Sequence, residues 1–596
     1  MEKVKKQAKI WLCISIALML LSMIVVSCVQ TDGGKVKMTE LNFVTTRGTT
    51  MSAYLLVPEN ATAETPAPAI VCSHGYLNNK EMTDANYVEL ARRGYVVLAI
   101  DQPCHGDSEV IEVVEPRSAD GAYGVYQGAL LLSELPYVDK DKIGVTGHSM
   151  GGNSCTFAIL EDNASEAPII SAVMYNSRDP YTDTNGEYSN IYGSRDVGVM
   201  SCEYDEFMHG DAPNYLSLPT AQSFLHFGKD PSGLDEREAN TIYTESVDGT
   251  DCIRVIYREP IIHPWAHFSS RSTSHIIDFF DNAFGAPNPI DSSNQIWQWK
   301  EAFNFIGLVG MMIFIVSFGA LMVQTPVFAP LCANEIAKPV KVADGKGKLW
   351  FWLSLIAGAL FSSLIYIWIL SIGTTMRVSQ PESMGLGLWS TLCGLFTILT
   401  MIVFYYGYGK KQGMDLVALG VKMPAKKLGL SVLLGVIIAV MAYVWVFAAD
   451  YFFYADFRIW TLAIKAFDAP ILRYLPYGLL FITYYVANSV ATNCFNYNDI
   501  GGKTWINTII VALFAAFPAL VLPWMQYATY YSTGAMLWPA SAMSILWLFP
   551  IVLILFFSTV INRLLYRVTK NPYIAGVVNA IIVTLLTISN TCTTLI

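Results

Sequence analysis

Lys142-Ile143-Gly144-Val145-Thr146-Gly147-His148-Ser149-Met150-Gly151-Gly152 is the stretch on which the reading of this chain turns. Residues 142–146 carry β-branched side chains and read as a short strand, and the residues after Gly152 suit a helix. Between them stands the pattern G-x-S-x-G. A serine at such a strand-to-helix junction sits in a strained turn, and its neighbours must be tiny because backbone passes close by. The turn lifts the Ser149 hydroxyl off the end of the strand. It aims the hydroxyl at a helix N-terminus, where the dipole favours developing negative charge.

Working outward, residues 41–46 and 51–57 read as two strands joined through Arg47-Gly48, a hairpin signal. A proline- and alanine-rich linker leads to a buried strand at 69–73. A helix over 80–93 is ended by Gly94, a strand follows at 95–101, and a helix at 118–135. Further strands are expected at 196–202 and 253–258, with a closing helix at 270–284. Strands alternating with helices predict an α/β fold, a doubly wound and mostly parallel sheet. Cys72, Cys104, Cys155, Cys202 and Cys252 fall on or beside these elements and read as small buried hydrophobes.

Residues 40–285 resemble the α/β-hydrolase family of esterases, lipases and peptidases. Besides the serine turn, Ser73-His74-Gly75-Tyr76 looks like the family's His-Gly oxyanion turn. Asp101-Gln102-Pro103-Cys104-His105-Gly106-Asp107-Ser108 resembles its Asp-x-x-Gly-x-Gly-x-Ser loop, departing from it at Cys104-His105. The resemblance implies Ser149 as nucleophile and the backbone N–H groups of Met150 and Tyr76 as oxyanion donors. His74 and His105 are then turn residues. The family's order is serine, acid, histidine. Asp205, after the strand at 196–202, is the expected acid, with Glu203, Glu206 and Asp179 as alternatives. His263, just beyond the strand at 253–258, is the expected base, with His267 in reserve. Pro264 and the loop setting spoil the helical spacing a zinc pair would need, so no metal or cofactor is expected. The implied reaction is acyl transfer to water, with an ester as substrate. Tyr181, Tyr188 and Tyr192, in the segment 178–194, and Phe207 and Tyr215, after Asp205, either line an acyl pocket or pack the sheet's rim.

The rest of the chain is different. Of 596 residues 53% are hydrophobic and only 14% charged, against about 25% in a soluble protein. Residues 10–26 are apolar and follow Lys3, Lys5, Lys6 and Lys9. They form either a membrane anchor or a signal peptide with a degenerate lipobox ending at Cys28. After Asp291, apolar runs near 302–324, 349–371, 385–407, 429–449, 474–494, 505–526, 536–560 and 573–594 are each long enough to cross a ~30 Å hydrocarbon layer. Lysines and arginines fall in alternate loops: Lys338, Lys341, Lys346 and Lys348; then Lys410, Lys411, Lys422, Lys426 and Lys427; then Arg563, Arg567 and Lys570. By the positive-inside rule this puts the serine-bearing domain outside the cytoplasm of a multi-pass protein, in what reads as a bacterial plasma membrane.

The expected domains are an anchor or signal at 1–33, the extracytoplasmic hydrolase at 36–288, and an all-α polytopic membrane domain of eight helices at 297–596. The expected partners are the lipid bilayer and a small ester or lipid-like substrate. The net charge of −10 argues against nucleic acid. No Asp, Glu, Lys, Arg or His falls inside the eight apolar cores, which speaks against an ion-coupled pump. Asn488, Asn493, Asn496, Asn498, Asn579 and Asn590 either bond neighbouring helices or line a polar pocket for a lipid headgroup. The rival to a membrane-anchored serine hydrolase is a transporter or receptor whose hydrolase-fold ectodomain only binds ligand.

Overall fold

Ala67–Ser73 and Val96–Ile100 are buried at every position, the mark of strands covered on both faces. They lie in the middle of a nine-stranded sheet in the computed structural model, which describes residues 2–112, 124–180, 188–208, 215–332, 345–498 and 503–595. The strands are β1 (Val36–Val44), β2 (Thr50–Pro58), β3 (Ala67–Ser73), β4 (Val96–Ile100), β5 (Val138–His148), β6 (Ile170–Asn176), β7 (Asp196–Tyr204), β8 (Tyr243–Val247) and β9 (Thr250–Ile262). Their order across the sheet is β1-β2-β4-β3-β5-β6-β7-β9-β8. From β4 to β9 every neighbouring pair is parallel, while β1, β2 and β8 pair antiparallel at the edges.

The helices in chain order are α1 (Glu2–Gln30), α2 (Asp84–Arg92), α3 (Val125–Ser133), α4 (Met150–Ala164), α5 (Pro219–Leu225) and α6 (Ser270–Phe284). After them come α7 (Trp297–Met322), α8 (Gly345–Thr374), α9 (Pro381–Gly407), α10 (Ala425–Phe453), α11 (Gly478–Val490), α12 (Thr504–Thr533), α13 (Ala542–Leu546), α14 (Leu548–Thr569) and α15 (Pro572–Ser589). The expected helix over 80–93 opens instead as a 3-10 turn, Lys80–Thr83, before α2. There Lys80 is fully buried and pairs with Asp101 and Asp107 at 2.9 and 2.8 Å. The β8–β9 hairpin escaped the sequence reading, because β8 alternates half-buried and exposed positions with little apolar signal.

The chain makes two compact units. One comprises Val25–Ala302, Ala528–Ala542 and Asn590–Ile596; the other comprises Met1–Ile24, Phe303–Tyr527 and Met543–Ser589. In the first, β3 to β7 and β9 form a core with Val71, Leu98, Val145, Val173, Val199 and Ile256 at its centre. The five cysteines expected there are all buried.

Among the described residues, eight helical segments are long and apolar enough to cross a membrane. Seven of them belong to the C-terminal half. The span expected near 474–494 is different: α11 has 13 residues, Pro476 lies in the 3-10 segment before it, and Ala491–Phe495 continues it as a π turn. Proline withholds a backbone N–H from a helical ladder, and the π turn widens the helix where Asn488, Thr492 and Asn493 cluster. Arg563, expected in a loop, lies inside α14 with 1% of its surface exposed. Lys338 and Lys341 lie outside the described residues.

Candidate active site

β5 ends at His148 and α4 starts at Met150, so Ser149 alone makes the junction. Its φ is +54° and its ψ −112°, a conformation that a non-glycine residue holds only under strain. The flanking glycines are required by space. A Cβ on Gly147 would stand 2.2 Å from the Gly151 carbonyl carbon, and one on Gly151 would stand 2.6 Å from the Ser73 oxygen. The Ser149 N–H donates to Asn176 O at 3.0 Å, tying the turn to β6. Met150 occupies the first turn of α4, where backbone N–H groups lack intrahelical acceptors.

Gly75 comes up beside this turn; a Cβ there would lie 3.4 Å from Ser149 Cβ. The Gly75-Tyr76 segment is fixed by its neighbours. The Gln102 N–H donates to His74 Nε2 at 3.0 Å, which leaves His74 Nδ1 to donate to Gly75 O at 2.7 Å. Gln102 Nε2 donates to Ser73 Oγ and His74 O at 2.8 and 2.9 Å. The His74 imidazole is thus spent on shaping the turn, and its ring lies 5.2 Å from that of His105.

The candidate acid and base come from the loops after β7 and β9. Asp205 Oδ2 accepts from His263 Nδ1 at 2.8 Å, and the Ser177 hydroxyl donates to the same oxygen at 2.5 Å. The N–H groups of Phe207 and Met208 donate to the other oxygen at 2.9 and 3.1 Å. Burial alone raises the Asp205 carboxyl, but the His263 charge and hydrogen bond, then the Ser177 bond, outweigh it and hold the group below its ordinary 3.8. Burial lowers His263, and the Asp205 charge more than reverses this, leaving it above 6.5. The alternative acids lie elsewhere. Glu206 accepts from the His263 backbone N–H at 2.9 Å. Glu203 pairs with Arg258 at 2.9 Å. Burial, and then the Asp205 charge, push Asp179 up to about 7.

Of the two histidines, it is His263 that bonds Asp205. The His148 ring lies between the pair, 4.8 Å from His263 and 4.5 Å from His267. His148 Nε2 donates to His263 O at 3.1 Å, and burial followed by the two neighbouring imidazoles keeps His148 well below 6.5. Among the described residues no hydrogen bond joins Ser149 Oγ to His263 or His267. Of the expected pocket aromatics, Tyr192 and Tyr215 are buried in the sheet's core, and Phe207 sets its ring edge-on to His263 at 4.8 Å. Tyr188 is 38% exposed. Tyr181 lies outside the described residues.

Three partners were not foreseen. Ser177 has φ +54°, on the β6–β7 side of the acid. His148 was read only as the variable residue of the turn. Tyr530, at the end of α12, donates its hydroxyl to Asp205 O at 3.2 Å, and the Tyr204 ring meets Tyr530 and Tyr531 at 6.0 and 4.6 Å. Three hundred and twenty-five residues separate the partners of that bond, and no sequence signal links them.

Among solved structures, an esterase of Pyrococcus furiosus is 16% identical, covering 43% of this chain and 94% of its own, with a TM-score of 0.28. A bacterial heroin esterase is 13% identical, covering 43% and 86%, with a TM-score of 0.30. An esterase of Pyrobaculum calidifontis is 14% identical, covering 48% and 94%, with a TM-score of 0.30. No curated protein matches the sequence. The model of the Alpha/beta hydrolase family matches residues 70–271, which take in the serine turn, both candidate histidines and Asp205. Those residues, with the mostly parallel sheet they build, belong to the alpha/beta hydrolase family.

Proposed function

We propose that this chain is a membrane-anchored serine hydrolase that cleaves carboxylic esters, with Ser149 as nucleophile, His263 as general base and Asp205 as the acid that orients it. His263 takes the Ser149 proton through Nε2 as the oxygen attacks the ester carbonyl carbon. The tetrahedral oxyanion is received by the N–H groups of Met150 and Tyr76. His263 then returns the proton to the leaving alcohol, and water repeats the sequence to free the acid and Ser149. Asp205 stays ionised throughout and stabilises the imidazolium.

The observation that carries this reading is the positive φ of Ser149 on a turn that admits only glycines beside it, in the same unit as a 2.8 Å Asp205–His263 bond. Backbone strain at a single side chain persists only where the surroundings over-determine it, and it clusters at functional sites. The long apolar helices support attachment to a membrane, with the hydrolase domain on the extracytoplasmic side by the loop charges. Labelling of whole cells by a fluorophosphonate probe tests it: the wild type should label and Ser149→Ala should not. Labelling that survives the substitution, or none in the wild type, refutes the enzyme. Hydrolysis of p-nitrophenyl esters of increasing chain length then measures acyl preference.

A further inference from the structure

Three loops at the carboxyl ends of the strands, the edge where parallel sheets bind their ligands, touch the ends of long apolar helices. Beyond β4, the carbonyls of Cys104 and Ile111 accept the N–H groups of Thr593 and Leu595 at 2.8 and 3.3 Å, in the segment that follows α15. Beyond β7, Asp205 O accepts the hydroxyl of Tyr530 from the last turn of α12. Beyond β9, Phe268 meets the ring of Trp297, the first residue of α7, edge-on at 5.3 Å. These helix ends belong to the hydrolase unit itself. The helices α7, α12 and α15 are each long and apolar enough to cross a membrane. With 26 and 30 residues, α7 and α12 exceed the ~20 that span the hydrocarbon, so their ends reach head-group level.

The surface around those loops carries matching side chains. Among the described residues, the large aromatic side chains that the unit leaves exposed are Tyr188, Trp265, Trp299 and Tyr531. Tyr188 follows β6, Trp265 follows β9, and Trp299 and Tyr531 stand in the end turns of α7 and α12. Trp265 shares one 3-10 turn with His263. Its ring meets Phe268 at 6.0 Å, and Phe268 leads on to Trp297. Tryptophan and tyrosine collect where head groups meet hydrocarbon, because an apolar ring there carries a polar N–H or O–H. A glycerolipid carries its ester carbonyls at the same depth. Ser149 is only half-buried at the end of β5. A nucleophile at that depth meets the ester without lifting acyl chains into water, a step whose cost grows with every methylene.

We infer that the substrate is an acyl ester of a membrane glycerolipid, taken from the bilayer that holds the protein, past the aromatic rim running from Trp265 through Phe268 to the start of α7. The inference rests on the reading of Ser149 as an esterase nucleophile and narrows the ester to one held in the lipid layer. The bond broken joins the acyl carbon to a glycerol oxygen. That oxygen leaves with the proton His263 took from Ser149, and water frees the fatty acid.

The test reconstitutes the full-length protein in vesicles of a dialkyl ether phosphatidylcholine, which has no ester to cleave. Dioleoylphosphatidylglycerol, dioleoylphosphatidylethanolamine and dioleoylglycerol are added separately as guests. Released oleate is measured beside hydrolysis of p-nitrophenyl butyrate supplied from water. The wild type should cleave at least one guest, and Ser149→Ala none. The rate per protein should follow the guest's mole fraction in the vesicles and hold steady when the suspension is diluted with buffer. Trp265→Ser should lower oleate release at least about tenfold more than it lowers butyrate hydrolysis. Both rates come from one preparation, so unfolded protein cancels in their ratio. A protein that labels with fluorophosphonate at Ser149 but releases no oleate from any guest overturns the inference and leaves the esterase reading standing. An oleate rate that falls on dilution, or an unchanged ratio in Trp265→Ser, also overturns it. A protein that neither labels nor cleaves overturns both.

Discussion

Asp205 stays ionised in a buried position because four donors converge on its two oxygens. The signs of the two shifts set a pH window. Asp205 is lowered, so its contribution to stability is present above its ordinary 3.8 and lost as pH falls. His263 is raised, so its contribution is complete below 6.5 and lost as pH climbs through the raised value. Catalysis needs the neutral imidazole, so the acid limb of the kcat/KM profile should lie above pH 6.5. In Asp205→Asn the limb should move below that of the wild type and kcat should fall about 10³–10⁴-fold. His263→Ala should abolish fluorophosphonate labelling, whereas His267→Ala should keep at least about a tenth of it, since it is His263 that bonds Asp205. Ser177→Ala removes a donor to a buried carboxylate, a bond of about 1.5–3 kcal/mol. It should lower kcat about tenfold with KM unchanged, and an altered KM instead would place Ser177 against substrate.

At the scale of elements, the serine turn is a packing solution as much as a chemical one. β5 and α4 meet so closely that Gly147 and Gly151 touch backbone to backbone. Gly147→Ala should therefore force the turn apart and cut the labelling rate about 100-fold or more, with the protein still present in membranes. The loop after β7 is held from a second direction by the end of α12, through Tyr530 and its ring contact with Tyr204. Tyr530→Phe loses one hydrogen bond of about 1 kcal/mol and should slow labelling about fivefold. Tyr530→Ala also loses the ring contact and should slow it further. Equal rates in wild type and both variants would show that the acid loop holds itself. The serine turn was legible because its glycines are local requirements. The Tyr530 contact was not, because a tyrosine at the end of an apolar helix looks like any interfacial aromatic.

At the scale of the molecule, the hydrolase unit is not one stretch of chain. Thr593 N–H donates to Cys104 O at 2.8 Å and Leu595 N–H to Ile111 O at 3.3 Å. With Ala528–Ala542, the segment Asn590–Ile596 therefore completes the unit that a cut at 36–288 would isolate. Such a fragment, made without those two segments, should unfold at a lower temperature than the hydrolase transition of the full chain. It should also label more slowly with the fluorophosphonate. Full retention of both would show that the returning segments carry no stabilising contacts.

The amino-acid sequence alone determined the strand-turn-helix around Ser149 and the run of apolar helices. Each of these is written in short-range pattern: glycine spacing, hydrophobic period, segment length. Tertiary structure alone decided that His263 rather than His267 meets Asp205, and that Ser177 and Tyr530 brace that acid. It alone decided that Arg563 is enclosed within the helical unit. A side chain's partners depend on which distant segments fold against it, and no local pattern records them.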